Sequence, residues 1–309
     1  MKNINLGKIG LNASEISLGV MRISNLELCE AAKVIDTAIQ NGINFFDHAD
    51  IYGAGVCEEI FAKAAKEISL KREDMLLQTK CGIRPMDNFR TFDFSKEHIL
   101  SQVDASLKRL QTDYIDVLLL HRPDTLMQPE EIAEAFNALK YQGKVKYFGV
   151  SNFNHMQVEL LQKHLNHKLI VNQLQFGIMH TGMIDHGFYV NRKENFAIDH
   201  DGSILEYCRL KDITIQAWSP YQMSNPYGVF LDNQNLPELN KYLNQLAQTY
   251  NVETTAIATA WILRHPAKMQ TIIGSMNPKR ITDICKASNI TLSREEWYKI
   301  YFAAGNDLP

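Results

Sequence analysis

Residues 115–150 read IDVLLLHRPDTLMQPEEIAEAFNALKYQGKVKYFGV, a strand, a helix and a second strand in succession. Ile115 to His121 is an apolar run without the alternation of a half-solvated strand, so both of its faces are expected to be buried. Pro129 to Tyr141 repeats its apolar residues at helical spacing, and Pro129 suits the first helical turn. Val145 to Val150 returns to a short apolar run. Parallel neighbours need a connection this long, so the stretch predicts one parallel crossover unit.

The same alternation continues on both sides. Further strand runs are Ile16 to Val20, Ile43 to Asp47, Met75 to Lys80, Leu169 to Gln173, Ile213 to Trp218 and Gln270 to Gly274. Helical spacing marks Leu26 to Gln40, Ser95 to Leu110 with Ser95 as N-cap, and Leu236 to Tyr250. Eight strands separated by helices predict an α/β fold of the TIM (β/α)8 barrel type, read here as a single domain over 1–309. An open doubly wound sheet is the competing architecture. Its G-x-G-x-x-G fingerprint is missing, because Gly53-Ala54-Gly55 is followed by no glycine at the required place. The first 14 residues form a small N-terminal β-hairpin turning at Leu6-Gly7-Lys8-Ile9-Gly10, suited to plug the barrel floor.

Two connections exceed the usual βα loop of about two to six residues. They run from Lys80 through Phe94 and from Gln173 to about Asp201, as long loops over the C-terminal face. Phe176, Met179, His180 and Phe188 in the second suggest an apolar pocket. The tail from Arg294 to Pro309 is another candidate pocket wall, since Trp297, Tyr298, Tyr301 and Phe302 need burial.

Composition narrows the function. Of 309 residues, 45% are hydrophobic and 22% charged, which fits a globular chain and excludes collagen-like and disordered readings. The net charge of −3 is spread without a basic block, so no nucleic acid and no membrane surface is expected as partner. The polar start and the lack of an apolar run near ~20 residues make the expected location cytoplasmic. Five scattered cysteines without a C-x-x-C pair indicate neither a disulfide framework nor a metal site.

Four predicted strands end on polar residues: Asp47, Lys80, His121 and Gln173. Strand ends of a barrel converge on one mouth, and Tyr52 can double back toward Asp47 before Gly53. An ammonium beside a phenol favours phenolate, so Lys80 is expected to lower the pKa of Tyr52 and make it a general acid. Asp47 would hold Lys80 charged, and a neutral His121 could donate to an oxygen gaining negative charge. A carbonyl under reduction is such an oxygen, and a bound cofactor must bring the electrons.

These pieces resemble the aldo-keto reductase superfamily, and in wording the bacterial YdhF-type oxidoreductases. The resemblance rests on Asn44-Phe45-Phe46-Asp47-His48-Ala49-Asp50-Ile51-Tyr52-Gly53, Thr79-Lys80-Cys81-Gly82, His121-Arg122-Pro123-Asp124, Gly149-Val150-Ser151-Asn152-Phe153, Asn172-Gln173 and Ile272-Ile273-Gly274-Ser275, in the family's order. It implies Tyr52 as proton donor, Lys80 and Asp47 tuning it, and His121 orienting the carbonyl of a small-molecule substrate. It further implies that Ser151, Asn152 and Gln173 hold the nicotinamide carboxamide and that Trp218 stacks on the ring, where many relatives have Tyr. Ser219, Pro220, Tyr221 and Gln222 would follow the pyrophosphate, and Ser275 and Arg280 would meet the adenosine 2′-phosphate. Gly274 stands where many animal members carry Lys, so preference for NADP(H) over NAD(H) would rest on Ser275 and Arg280 with Asn277 or Lys279. His48 stands where Thr or Ser is frequent, and its ring is expected to bond to backbone.

The implied activity is NADPH-dependent reduction of aldehydes or ketones. A nicotinamide-binding regulatory protein on the same fold is the alternative. Hydrolase barrels want an early His-x-His pair, which Ile16 to Val20 lacks, and a pyridoxal enzyme would use Lys80 as Schiff base. The sequence leaves the oligomeric state open between monomer and dimer.

Overall fold

The structure, a computed structural model, describes residues 1–85, 90–190, 202–223 and 228–306. Two short strands, β1 (Asn3–Leu6) and β2 (Leu11–Ser14), pair as an antiparallel hairpin. The barrel strands are β3 (Ile16–Gly19), β4 (Phe45–Asp47) and β5 (Leu76–Cys81), then β8 (Ile115–Leu120), β9 (Val145–Ser151), β10 (Leu169–Gln175), β11 (Thr214–Trp218) and β12 (Gln270–Ile273). Between β5 and β8 a second hairpin, β6 (Ile83–Pro85) with β7 (Arg90–Phe92), occupies part of the first long connection. All eight barrel pairings are parallel and the sheet closes in the order β3-β4-β5-β8-β9-β10-β11-β12.

Helices α1 (Leu28–Gln40), α2 (Val56–Glu67), α3 (Lys96–Leu110), α4 (Pro129–Tyr141), α5 (His155–Gln162) and α6 (Gly182–Phe188) precede α7 (Ile204–Leu210). They are followed by α8 (Pro237–Tyr250), α9 (Thr254–Leu263), α10 (Pro278–Cys285) and α11 (Arg294–Ala303). Their starts follow local chemistry. Ser95 accepts from the His98 amide at the head of α3, Glu27 and Glu30 close a capping box on α1, and Pro129 opens α4. The capping box moves the start of α1 two residues past Leu26.

The hairpin closes the barrel floor. Leu6 and Ala13 are buried in one cluster with Phe45, Val117, Leu119, Ile170 and Val171. Gly7 is required there: φ is +57° and a Cβ would stand 2.6 Å from the Ile170 Cβ.

Three expectations about pocket walls change. Phe176 is fully buried and stacked 5.3 Å from Trp261, so it belongs to the core and not to a pocket. In α11, Trp297 and Tyr301 are buried, but Phe302 on the far face is exposed. Trp297, Tyr298 and Phe188 do line a cavity of about 390 Å³, with Arg264 and His265 beside them, yet Asp47, Tyr52, Lys80 and His121 take no part in it. Residues 191–201 of the second connection and 307–309 of the tail lie outside the described residues.

Candidate active site

Barrel closure brings the strand-end residues together. Asp47 ends β4 and Lys80 lies near the end of β5, one strand over, both buried. Lys80 Nζ stands 2.8 Å from both Asp47 carboxylate oxygens and donates at 2.7 Å to the His48 carbonyl. It also meets Tyr52 Oη at 3.1 Å. The Tyr52 and His121 rings are edge-on with centroids 6.0 Å apart. The four residues expected to converge therefore share one mouth.

Tyr52 reaches this place through an unusual turn. Gly53, Ala54 and Gly55 all take positive φ, at 56°, 53° and 94°, before α2 begins. Ala54 holds this conformation at a cost of about 1 kcal/mol, which packing must offset. At Gly55 the positive φ strains any side chain, and a Cβ would stand 2.8 Å from the Arg109 side chain.

The electrostatics correct one expectation. Burial drives the Tyr52 phenol up, the Lys80 charge pulls it down, and Asp47 raises it again. The net position is above the ordinary tyrosine value and not below it, because desolvation outweighs the ammonium. For Lys80, burial lowers the pKa, but Asp47 and Tyr52 more than compensate and it rises. Lys80 is thus held charged in a buried site, as its partners require.

Behind the tetrad lies a second buried set that sequence reading missed. Glu58 accepts from Thr79 Oγ1 at 2.7 Å and from Arg109 Nε at 2.7 Å. Burial, then the Glu58 charge, pushes Asp50 up to about 7, against the pull of the Ile51 amide, Arg109 and Lys80. His48 also departs from expectation. Neither ring nitrogen has a partner, the ring meets Phe61 edge-on at 4.5 Å, and burial with the Lys80 and Arg72 charges lowers its pKa to about 3.

The residues implied for a cofactor divide. Ser151 Oγ donates to the Gln173 carbonyl, Asn152 Nδ2 to Ser151 Oγ, and Trp218 Nε1 to Asn152 Oδ1 at 3.2 Å. These form one rim with Trp218 partly buried and Arg122 5.5 Å from its ring centroid. Gln173 turns inward, its Nε2 donating to Asp47 and to Gln216. The Tyr221 hydroxyl is bonded at 2.7 Å to Thr259 on α9. Ser219 takes positive φ, and Pro220 presses so close to Gly177 that a Cβ there would lie 2.5 Å from its carbonyl. Gln222 bridges to Val229. At the head of α10, Asn277 caps Arg280, Ser275 accepts from the Asn277 amide, and Arg280 is exposed. Arg22, unsuspected from sequence, donates to the Gly274 carbonyl at 3.3 Å and fills the space a Gly274 Cβ would need.

The profile of the Aldo/keto reductase family matches residues 15–302. The chain belongs to the aldo-keto reductase family. It is 31% identical to the oxidoreductase YdhF of Escherichia coli, over all of both chains. It is 32% identical to a 6-dehydroglucose reductase of Agrobacterium fabrum, with 95% of each covered. Among solved structures it superimposes on the thermostable aldo-keto reductase Tm1743 in complex with the inhibitor epalrestat, with TM-score 0.78, 25% identity and 98% and 100% coverage. This aldo-keto reductase is accordingly an oxidoreductase of a family that uses nicotinamide cofactors. No helix among the described residues is long and apolar enough to cross a membrane.

Proposed function

We propose that this aldo-keto reductase reduces an aldehyde or ketone to the alcohol with NADPH, and that Tyr52 donates the proton. The observation that carries the reading is the Asp47–Lys80–Tyr52 chain, 2.8 and 3.1 Å long in its two links, with His121 edge-on to Tyr52. Bound NADPH would supply a hydride to the carbonyl carbon. Tyr52 Oη would give its proton to the carbonyl oxygen, and Lys80 would stabilise the phenolate left behind. A phenol that burial keeps above its ordinary value stays protonated at neutral pH, ready to donate. His121 would orient the carbonyl.

The rim fits a nicotinamide dinucleotide. Asn152 fixes the Trp218 indole by its N–H, and the partly buried indole would offer a flat face to a ring. Ser151 and Asn152 would hold the carboxamide. Arg22 at Gly274, with Ser275 and Arg280 at the head of α10, would hold the 2′-phosphate, since guanidinium forks suit phosphate oxygens. NADH lacks that phosphate. The 6-dehydroglucose reductase among the relatives makes a sugar carbonyl a first substrate to try.

Tyr52→Phe should retain NADPH binding, read by tryptophan fluorescence against a Trp218→Phe control, and lose at least about 10²-fold in kcat. Turnover equal to the parent removes Tyr52 from the role. Tight NADPH binding with no turnover on a broad carbonyl panel would favour a regulatory protein instead.

A further inference from the structure

Four glutamines on four strands, Gln78, Gln173, Gln216 and Gln270, point into the barrel and are buried. They form one hydrogen-bonded chain. Gln270 Nε2 donates at 2.7 Å to the Ser14 carbonyl at the floor. Gln216 Nε2 donates at 2.8 Å to Gln270 Oε1. Gln216 Oε1 accepts from Gln78 Nε2 at 2.8 Å and from Gln173 Nε2 at 3.1 Å. Each of those two amides turns its second hydrogen to Asp47 Oδ1, at 2.6 and 3.0 Å.

The direction of this chain is not free. A backbone carbonyl can only accept, so Gln270 must turn its NH₂ to Ser14 and its oxygen to Gln216. Gln216 must then turn its oxygen to Gln78 and Gln173. Both ends of the chain, a carbonyl and a carboxylate, are acceptors. An amide chain that joins two acceptors must contain a member that spends both hydrogens and keeps an oxygen over. Gln78 is such a member: its Oε1 is buried with no partner. A buried orphan oxygen costs free energy, and it is the expected consequence of aiming N–H groups at Asp47 from both sides.

We infer that Gln216 and Gln270 are positioning residues for Asp47. Gln216 Oε1, fixed by Gln270, accepts from the same two NH₂ groups that meet Asp47 Oδ1, and so anchors them where they hold the carboxylate square to Lys80. Neither amide reaches Tyr52 or Lys80, so each acts through another residue. The effect on turnover rests on the reductase reading, whereas the hold on Asp47 does not.

The test compares the parent protein with Gln216→Met and Gln270→Met, which keep a similar shape and remove the amide. Two quantities are read: the titration of Lys80, by carbon-13 NMR of its Cε, and kcat and KM across pH with NADPH and an aldehyde panel. Lys80 owes its raised value to Asp47, against burial. The variants should therefore lose the Lys80 proton about one pH unit lower than the parent. In Gln216→Met kcat should fall about tenfold with KM nearly unchanged, and less in Gln270→Met. Loss of kcat at every pH with an unmoved Lys80 titration would mean a merely structural role and overturns the proposal. A shifted Lys80 titration in a protein that turns over no carbonyl would leave the proposal standing and sink the reductase reading. Should Gln216→Met not fold, Gln270→Met carries the test, because its amide touches only Gln216 and the hairpin carbonyl.

Discussion

The floor and the mouth of this barrel are built on the same strands from the same inward positions, with opposite chemistry. On β4, Phe45 belongs to the apolar floor and Asp47, two residues on, to the tetrad. On β5, Leu76 packs against the floor, Gln78 joins the glutamine chain, and Lys80 reaches Tyr52. The floor is held by non-directional burial of apolar surface. At the mouth, stability depends instead on the buried ammonium and carboxylate meeting each other, because an unpaired charge there is expensive. A barrel can therefore tolerate a buried ammonium at one end only if its carboxylate and hydrogen-bond partners stand there with it. The inertness of the other end supplies the rigid frame for it.

Exchanging the chemistry of the two ends should have the largest effect at Lys80. Lys80→Met strands the buried Asp47 carboxylate and should cost about 3–5 kcal/mol in denaturant unfolding, together with at least about 10³-fold in kcat. Adding Asp47→Leu should return most of the stability and none of the activity, making the mouth resemble the floor. If the double variant stays as unstable as the single one, the wiring is not what the mouth depends on. Phe45→Ala at the floor should cost a comparable or smaller amount, about 3–4 kcal/mol, with the kcat of the folded fraction unchanged. A fall in kcat there would show that the floor reaches the tetrad by more than rigidity.

Asp50 sharpens the contrast through pH. Its carboxyl sits at about 7 in the folded protein against an ordinary 3.8. Between those values the folded state keeps a proton that the unfolded chain has released, so stability falls as pH rises, and the whole loss is present above about pH 7. Asp50→Asn removes that penalty. It should stabilise the protein at pH 8 by on the order of 2–4 kcal/mol and leave it unchanged near pH 3.5, as read by urea unfolding at both. An equal gain at both pH values would trace the effect to packing and not to charge.

Much of the tetrad was legible because polar residues ending apolar runs are conspicuous, and a closed barrel sends strand ends to one mouth. The glutamine chain was not. Residues 78, 173, 216 and 270 share no spacing, and a single polar residue inside a strand run carries no direction until the register is known. Each is a polar residue at a buried barrel-strand position, and that polarity inside or beside an apolar run is the signal the sequence carries. Arg22 lies 252 positions from Gly274, so only the neighbouring of β3 and β12 brings them together. Phe176 lies in a long connection, where an aromatic residue looks the same in sequence whether it faces a ligand or the core.

By itself the amino-acid sequence determined the eight parallel strands, the floor hairpin, the family and the four residues at the mouth, since periodicity, chain order and motif wording are local properties. Tertiary structure alone decided that burial outweighs Lys80 at the Tyr52 phenol, that His48 lacks a hydrogen bond, that Asp50 titrates near neutrality and that one chain of glutamine amides joins a backbone carbonyl at the floor to Asp47. Desolvation and hydrogen-bond direction depend on what surrounds a group in three dimensions, and closure of the barrel assembles those surroundings from residues far apart in the chain.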